Sequence, residues 1–175
     1  MARTSCCASP PAKSRSRDGT AGLDIALKLI ASMGVSKSST VLFDGAGSDE
    51  RDRTSPADQV TFLRNVHRFD WGKFIRNGMA VVGVDGTQAQ NQVGTPAAGH
   101  IQAKDGSRAA TTPNDYQDII TAKTSVGYIK AKSGRQLVYA IYLANIAAPP
   151  SDLFSVFGAA DHDIGAIAAL LQQGL

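Results

Sequence analysis

The sequence is poor in the residues that build disulfide frameworks and metal sites. It holds two cysteines in 175 residues, and they are adjacent, at Cys6 and Cys7. Adjacent cysteines in a polar segment can neither cross-link a core nor supply the spaced ligand pairs of a structural zinc site. The sequence therefore predicts no disulfide framework and no metal site, and nothing in it calls for a cofactor.

Long apolar runs are also absent. No run reaches the roughly 18 residues that a membrane span needs, and residues 1–20 lack the apolar segment of a signal peptide. The sequence thus predicts a soluble chain with no membrane span and no export signal, which is compatible with a cytoplasmic location.

The positive charge of the chain is local. The formal net charge is +3, but Arg3, Lys13, Arg15 and Arg17 contribute +4 with no acid among residues 1–17, so +3 less 4 leaves −1 for the remainder. A basic tail without basic and aromatic alternation is typical of a solvated segment, and the sequence predicts no nucleic-acid partner.

A chain of this length and 43% hydrophobic content is sufficient for one core. Residues 1–20 are rich in Ser, Pro and Arg and show no hydrophobic period, which predicts a disordered tail. The domain is then expected over residues 21–175.

Helices are predicted at three places. Apolar residues recur at helical spacing from Ala21 to Ala31, and Gly34 provides a stop. Ser55 followed by Pro56 predicts a helix that begins at Pro56 with a serine N-cap and Asp58 at its third position. The alanine-rich stretch 165–171 predicts a last helix that packs on a sheet.

Strands dominate the region between the last two helices. Residues 99–104, 122–130 and 136–145 have strand-like composition, and Lys132-Ser133-Gly134-Arg135 is a hairpin connection. Two shorter apolar runs, 41–43 and 81–84, are also predicted as strands. The expected fold class is α/β in the α+β sense, an antiparallel sheet with flanking helices.

Three segments carry a family resemblance. Asp44-Gly45-Ala46-Gly47 through Arg53-Thr54-Ser55-Pro56 is similar to an Asp-Gly-Ser-Gly-Leu-Ser-Arg block that runs into a Thr-Pro helix start. Gly83-Val84-Asp85-Gly86-Thr87 is similar to Gly-x-x-Gly-Thr, and Gly99-His100-Ile101-Gln102-Ala103-Lys104-Asp105-Gly106 to Gly-x-x-x-Ala-Lys-Thr-Gly. In this order they resemble the C-terminal part of the D-alanyl-D-alanine carboxypeptidases of the penicillin-binding protein 4 type, serine peptidases (S13) that act on bacterial cell-wall peptides.

The resemblance implies a partial β-lactamase/transpeptidase-like fold and a site built from Ser-x-x-Lys, Ser-x-Asn and Lys-Thr-Gly. In Ser-x-x-Lys the amine lies one helical turn from the serine and can take its proton. No serine of this chain has lysine three residues on, and no Ser-x-Asn occurs. We therefore expect a truncated, catalytically incomplete chain that is inactive alone.

The third element is present in altered form. By resemblance Lys104 is the catalytic and substrate-binding lysine, with Gly106 and Ser107 beside it in the substrate-binding strand, and Asp105 replaces the family hydroxyl. Two carboxylates about 4 Å apart repel by about 1 kcal/mol in water and about 4 kcal/mol at an effective dielectric of about 20. Asp105 is thus expected to weaken binding of a substrate carboxylate unless it pairs with Lys104.

Other polar groups have simpler interpretations. Ser48 lacks the surroundings of a nucleophile elbow and is predicted as a loop serine. Asp44 and Asp49 are predicted as loop carboxylates, with Arg51 in a surface charge pair. Asp161-His162-Asp163 lacks further ligands for a metal and is predicted to cap the last helix. Asp85-Gly86-Thr87 is predicted as a turn.

Two functional hypotheses remain. In the first, the chain is part of a serine-type carboxypeptidase of the periplasm or cell envelope whose partners are peptidoglycan stem peptides and β-lactams. In the second, it is a non-catalytic domain that binds a cell-wall peptide along the Lys104 strand edge. If the chain is a truncated half-fold, apolar sheet surface is left exposed, which predicts poor solubility or self-association.

Overall fold

The computed structural model describes residues 19–111, 113 and 117–175 of the chain. The tail predicted for residues 1–20 lies outside these residues except for Gly19 and Thr20, which form the first turn of a helix. In the described residues four α-helices are present: α1 (Gly19–Ser32), α2 (Pro56–Asn65), α3 (Gly72–Asn77) and α4 (Leu153–Gly174). The strands are β1 (Ala80–Val81), β2 (Ile101–Thr111), β3 (Asp118–Lys130), β4 (Gln136–Leu143) and β5 (Ile146–Ala148).

The strands form one antiparallel sheet in the order β1-β2-β3-β4, and β5 pairs with the start of β3. The predicted α+β class and antiparallel sheet are confirmed. The three main strands were also predicted, but β2 and β3 extend beyond their expected limits because they pair along nearly their whole length, with one irregularity between Arg108 and Ala109. The strand β4 ends at Leu143, and Asn145 just beyond it has φ 59°.

Two short predicted strands are reduced in the structure. Residues 41–43 contribute a single bridge, in which the amides of Val41 and Arg53 each donate to the other's carbonyl. The run 81–84 ends as a strand at Val81, because Gly83 turns the chain with φ +73°. The predicted hairpin between β3 and β4 is confirmed, with Gly134 in the left-handed region that its turn requires.

The predicted start of α2 is confirmed. The Ser55 hydroxyl oxygen accepts from the Asp58 amide at 3.1 Å, as an N-cap does, and Pro56 is the first helical residue. The first helix likewise ends at Ser32, two residues before Gly34. All of its residues remain at least partly exposed, so α1 lies at the edge of the packed structure.

The last helix differs from the prediction. It begins at Leu153, twelve residues before the expected start, because Leu153, Val156, Phe157 and Ala160 already follow the helical period. The expectation that Asp161, His162 and Asp163 cap this helix is therefore wrong, since all three lie inside it.

The helix α4 covers one face of the sheet. Its buried residues recur at helical spacing: Ala160, Ile164, Gly165, Ala168, Ala169 and Gln172. Together with Val82, Ala97, Ile101, Ala103, Ile129 and Tyr139, two of these, Ala168 and Ala169, form the main hydrophobic core. By length and composition alone α4 could cross a membrane. Its buried residues recur at helical spacing, as in an amphipathic helix that packs one face on a sheet.

Gly127 determines how closely the two central strands, β2 and β3, approach each other. A Cβ at this position would lie 1.9 Å from the carbonyl oxygen of Gln102 in β2. Only glycine permits this approach, and it fixes the register at the point where β2 enters the candidate site.

Large apolar side chains remain exposed on several elements. The most exposed are Phe154, Leu170, Ile25 and Phe74, with 88%, 70%, 68% and 66% of their surface accessible. They lie on α4, α1 and α3. Self-association through such surface stays a prediction.

Candidate functional site

The residues predicted for the site divide between the two faces of β2. Side chains alternate along a strand, so Lys104 and Gly106 share one face while Asp105 and Ser107 share the other. Ile101 and Ala103, on the face of Asp105, are fully buried in the core beneath α4. The face that carries Lys104 is the one that contacts α3 and the loop before α2, through Gln102 and Arg108. We call the side of β2 that carries Lys104 the Lys104 face, and the side that carries Asp105 the α4 face.

One edge of β2 is open. The strand β1 pairs only with Gln102 and Ala103, through Val81 and Ala80. Beyond Ala103 the described residues provide no strand on that side, whereas β3 pairs with β2 on the other side through Thr111. The stretch from Lys104 onward therefore presents an unpaired strand edge.

Lys104 is exposed at the start of this edge. Its Nζ donates to the backbone oxygen of Asp105 at 2.6 Å. The lysine therefore bonds the Asp105 carbonyl oxygen and not the carboxylate, so the pairing that could offset the repulsion does not form. Gly106 leaves room for the Thr124 hydroxyl, which would lie 2.7 Å from a Cβ at that position. The ammonium group remains available at the strand edge, since its single described partner is a neutral carbonyl.

The Asp105 carboxylate is turned toward the α4 face. Its Oδ2 accepts from the Gln88 amide and from the Thr87 hydroxyl, the latter at 3.3 Å. Its Oδ1 is buried without a hydrogen-bond partner among the described residues. Asp105 therefore fastens the 3-10 turn Gly86–Gln88 to β2, and its charge does not lie on the Lys104 face.

The same turn is held at its other end. The Asp85 carboxylate accepts from the Val81 amide at 2.6 Å, and Gly86 has φ +58°. The interpretation of Asp85-Gly86-Thr87 as a turn is confirmed. Its polar residues orient the segment that contacts Asp105.

Ser107 takes part in a contact that sequence reasoning missed. Its hydroxyl accepts from Lys123 Nζ at 2.9 Å, across the β2–β3 pair. Lys123 is 4% exposed, and its ammonium lies 2.7 Å from the Asp161 carboxylate of α4. Because an unpaired buried ammonium is costly, the Asp161 ion pair and the Ser107 bond together account for its burial. Ser107 itself is exposed, with a hydroxyl proton that it can still donate.

A signal for this group was present in the sequence. Lys123 stands four residues before Gly127 and six before Ile129, so the period of two places it on the buried face of β3. A lysine at such a position requires a nearby acid. The predicted start of the last helix was too late, so Asp161 was assigned to its cap. Its role as the partner of Lys123 was therefore missed.

A polar layer continues from Lys123 beneath the sheet. The Ser125 and Tyr139 hydroxyl groups lie 3.0 Å apart, and burial raises the pKa of the tyrosine to about 12. Asn91 donates to the Gln88 side chain at 2.9 Å and to the Asp161 carbonyl oxygen at 3.2 Å. Polar contacts on the α4 face thus join β2, the turn and α4.

The loop before α2 is organised by its own carboxylates. Asp44 accepts from the amides of Ala46 at 2.8 Å and Asp49 at 2.8 Å, and from the Ser48 hydroxyl at 2.6 Å. The Ser48 hydroxyl bond, foremost among these contacts, lowers the Asp44 pKa to about 2. Asp49 forms the expected pair with Arg51, at 2.7 Å. Ser48 is a loop serine, as predicted, and its carbonyl oxygen accepts from Arg108 on the Lys104 face at 3.1 Å.

Asp58 ties this loop to α2. Its carboxylate accepts from the hydroxyl groups of Ser39, Ser55 and Thr40 and from the Ser36 amide at 3.0 Å. The Ser39 bond is the largest of the effects that lower its pKa to about 2. These contacts of Asp58 therefore hold the loop against α2.

The described residues contain no group of three or more His, Cys, Asp or Glu side chains arranged to hold a metal ion.

Comparison with solved structures identifies the fold. Penicillin-binding protein 4 from Haemophilus influenzae aligns with a TM-score of 0.58 and 15% identity, over 72% of this chain and 26% of that protein. The same protein in complex with a β-lactam aligns at 0.60 and 13%, over 82% and 33%. A class A β-lactamase from Bacteroides cellulosilyticus aligns at 0.58 and 16%, over 83% and 52%. The chain thus spans about a quarter to a half of the length of these proteins.

Sequence comparison identifies the family. A search of curated proteins found no match. The model of the D-Ala-D-Ala carboxypeptidase 3 (S13) family matches residues 12–153, which is most of the chain and includes both β2 and the Lys104 motif. The chain therefore belongs to the D-Ala-D-Ala carboxypeptidase 3 (S13) family.

Proposed function

We propose that this chain supplies the substrate-binding strand of a D-alanyl-D-alanine carboxypeptidase site and has no nucleophile of its own. The observation that carries the proposal is the open edge of β2, where Lys104 stands exposed immediately beyond the last residue paired with β1. An extended peptide can add to such an edge by main-chain hydrogen bonds. The Lys104 ammonium would then attract its terminal carboxylate.

The proposal assigns different roles to the residues of the motif. Lys104 supplies the charge at the edge. Gly106 accommodates the Thr124 hydroxyl, and its main-chain groups belong to the unpaired edge that a peptide backbone would approach. Ser107 offers a hydroxyl on the opposite face, where the Lys123 ammonium polarises it. At position 105, where the family has a hydroxyl group, this chain has a carboxylate that accepts hydrogen bonds from Gln88 and Thr87.

Catalysis by this chain alone is not part of the proposal. Serine needs a base within reach to become a nucleophile, and the 175 residues contain no Ser-x-x-Lys. Lys123, which donates to the Ser107 hydroxyl, is held in an ion pair with Asp161. Binding of a cell-wall peptide without hydrolysis, the second candidate function, is favoured by the same open edge.

Titration with a short fluorescent peptide ending in D-Ala-D-Ala tests the binding step. We expect Lys104→Met to weaken binding about ten-fold, because a charge-assisted hydrogen bond is lost. Lys132→Met is the matched control, since Lys132 is an exposed lysine in the hairpin away from β2. Equal affinities for both variants, or no binding by the unmodified chain, would contradict the proposal.

A further inference from the structure

A large groove lies at the far end of the Lys104 face. It has a volume of about 1120 Å³ and is enclosed by the C-terminal half of α2, the following 3-10 turn, α3 and the hairpin end of β3 and β4. Neither Lys104 nor another residue of β2 lines this groove.

The walls of the groove are strongly basic. Five basic side chains line it, and Asp70 is the one acidic residue among the lining residues. The basic residues are Arg64, His67, Arg68, Lys73 and Arg76. This concentration is local, because the chain after the basic tail has a net charge of −1.

One of these charges is held in place. Arg76 donates from Nε to Gln102 Oε1 at 2.8 Å and from a terminal nitrogen to Gln136 Oε1 at 2.9 Å. Its guanidinium lies 4.9 Å from the centre of the Tyr128 ring, and the Tyr128 hydroxyl donates to the Leu63 carbonyl oxygen at 2.8 Å. The guanidinium is therefore positioned before any ligand arrives, which lowers the entropic cost of binding.

The positive charges of the groove are not neutralised by the protein. Across residues 19–111, 113 and 117–175, the ion pairs involve Arg51, Lys123 and His162, and none involves the groove arginines or Lys73. Arg64 at the end of α2, Arg68 in the 3-10 turn that follows it and Lys73 on α3 are all exposed. An anion bound between them would contact guanidinium groups suited to bidentate recognition.

Half-buried apolar surface also lines the groove. Leu137, Val138 and the Tyr128 ring supply it, and we call these three the floor of the groove. A polymer of sugars and phosphates would leave this floor without a complementary surface. A peptide that alternates acidic and aliphatic side chains matches both the floor and the walls.

We propose that this groove binds an acidic peptide segment, with carboxylates on the basic walls and aliphatic side chains on the apolar floor. Arg64 and Arg68 contact the peptide from the α2 side, and Lys73 and Arg76 contact it from α3.

Fluorescence anisotropy with a fluorescein-labelled peptide of alternating Asp and Val tests this proposal. We expect the double variant Arg64→Gln/Arg68→Gln to bind about ten-fold more weakly, since two partly exposed charge contacts are removed. The double variant Lys28→Gln/Lys37→Gln, which removes two exposed charges elsewhere, should change the affinity less than two-fold. The variant Arg64→Lys/Arg68→Lys keeps both charges and should retain most of the affinity. Thermal melting of each variant checks that it is folded.

Specificity for a peptide is tested with two further probes. A peptide with Asn in place of Asp should bind at least ten-fold more weakly if the carboxylates are recognised. Inorganic polyphosphate should compete less well than the Asp peptide, because it cannot use the apolar floor. Three results would each overturn the proposal. They are an equal loss of affinity in Arg64→Gln/Arg68→Gln and in Lys28→Gln/Lys37→Gln, equal affinity for the Asn and Asp peptides, and tighter binding of polyphosphate than of the Asp peptide.

Discussion

The two faces of β2 differ in what their side chains contact. On the α4 face, Ser107 and Asp105 contact Lys123, Gln88 and Thr87, and the same layer reaches α4. On the Lys104 face, the lysine bonds one carbonyl oxygen and the strand edge beside it is unpaired. The difference separates Asp105, which holds the turn to β2, from Lys104, which is exposed beside the unpaired strand edge, although the two are adjacent in one strand.

The comparison changes the interpretation of Asp105. From the sequence, a carboxylate next to Lys104 was expected to repel a substrate carboxylate directly. In the structure the carboxylate lies on the α4 face and fastens the turn that contains Gln88 and Thr87. Its effect on a ligand at the Lys104 face is therefore expected to be weak.

The largest effect is predicted for the backbone that both faces share. Gly127→Ala places a Cβ 1.9 Å from the Gln102 carbonyl oxygen, so β2 and β3 must separate. We expect a loss of about 3 kcal/mol or more in the free energy of unfolding, measured by urea denaturation. Gly158→Ala, in the open part of α4, is the control and should stabilise the protein by up to about 1 kcal/mol. Similar stability of the two variants would contradict the close approach.

The next effect separates the two faces directly. Asp161→Asn leaves the buried Lys123 ammonium without its ion-pair partner, and this is expected to lower the free energy of unfolding by about 3 kcal/mol. Lys104→Met removes an exposed charge and should change it by less than about 0.5 kcal/mol. The double variant Lys123→Met/Asp161→Asn should recover part of the loss, because the orphaned ammonium is removed. Equal costs for Asp161→Asn and Lys104→Met would remove the distinction between the faces.

A comparable effect is predicted for Asp58. Its pKa is lowered in the folded protein to about 2, below its ordinary value of 3.8. The stabilisation is therefore complete above about pH 4 and is lost as the pH falls through about 2. Asp58→Asn should lower the free energy of unfolding by about 2 kcal/mol at pH 7, with a smaller difference from the unmodified chain at pH 2 than at pH 7. A pH-independent difference in urea denaturation would be evidence against this role.

The smallest effect sharpens the interpretation of position 105. Asp105→Asn should change the affinity for a peptide ending in D-Ala-D-Ala less than about three-fold, because the carboxylate is turned away from Lys104. Direct repulsion of about 1 to 4 kcal/mol would instead appear as a gain of roughly five-fold to a thousand-fold. Fluorescence titration of both proteins distinguishes these outcomes.

Local sequence patterns predicted most of the fold. Ser55 and Pro56 defined the start of α2, and the period-two runs defined the three main strands. The length of β2 and β3 could not be predicted, because residues 105–111 are polar and become strand only by pairing with a partner. The start of α4 was missed because Asp161 is also a common helix cap, and its true role depends on Lys123, 38 residues earlier.

The candidate site was predictable in part. The Lys-x-Gly motif indicated Lys104, Gly106 and Ser107, and the structure places all three on β2. Their division between two faces follows from strand alternation, which the sequence also contains. The Ser107–Lys123–Asp161 contact and the basic groove required tertiary structure, since each joins elements that are distant in the chain.

Covalent labelling of the purified chain with a fluorescent penicillin, followed by measurement of intact mass, tests the central claim most directly. The account predicts no added mass, because the sequence contains no Ser-x-x-Lys and Lys104 contacts no serine in the described residues. An added mass on a serine, with Ser107 as the first position to map, would contradict it and make this chain an acylating enzyme in its own right.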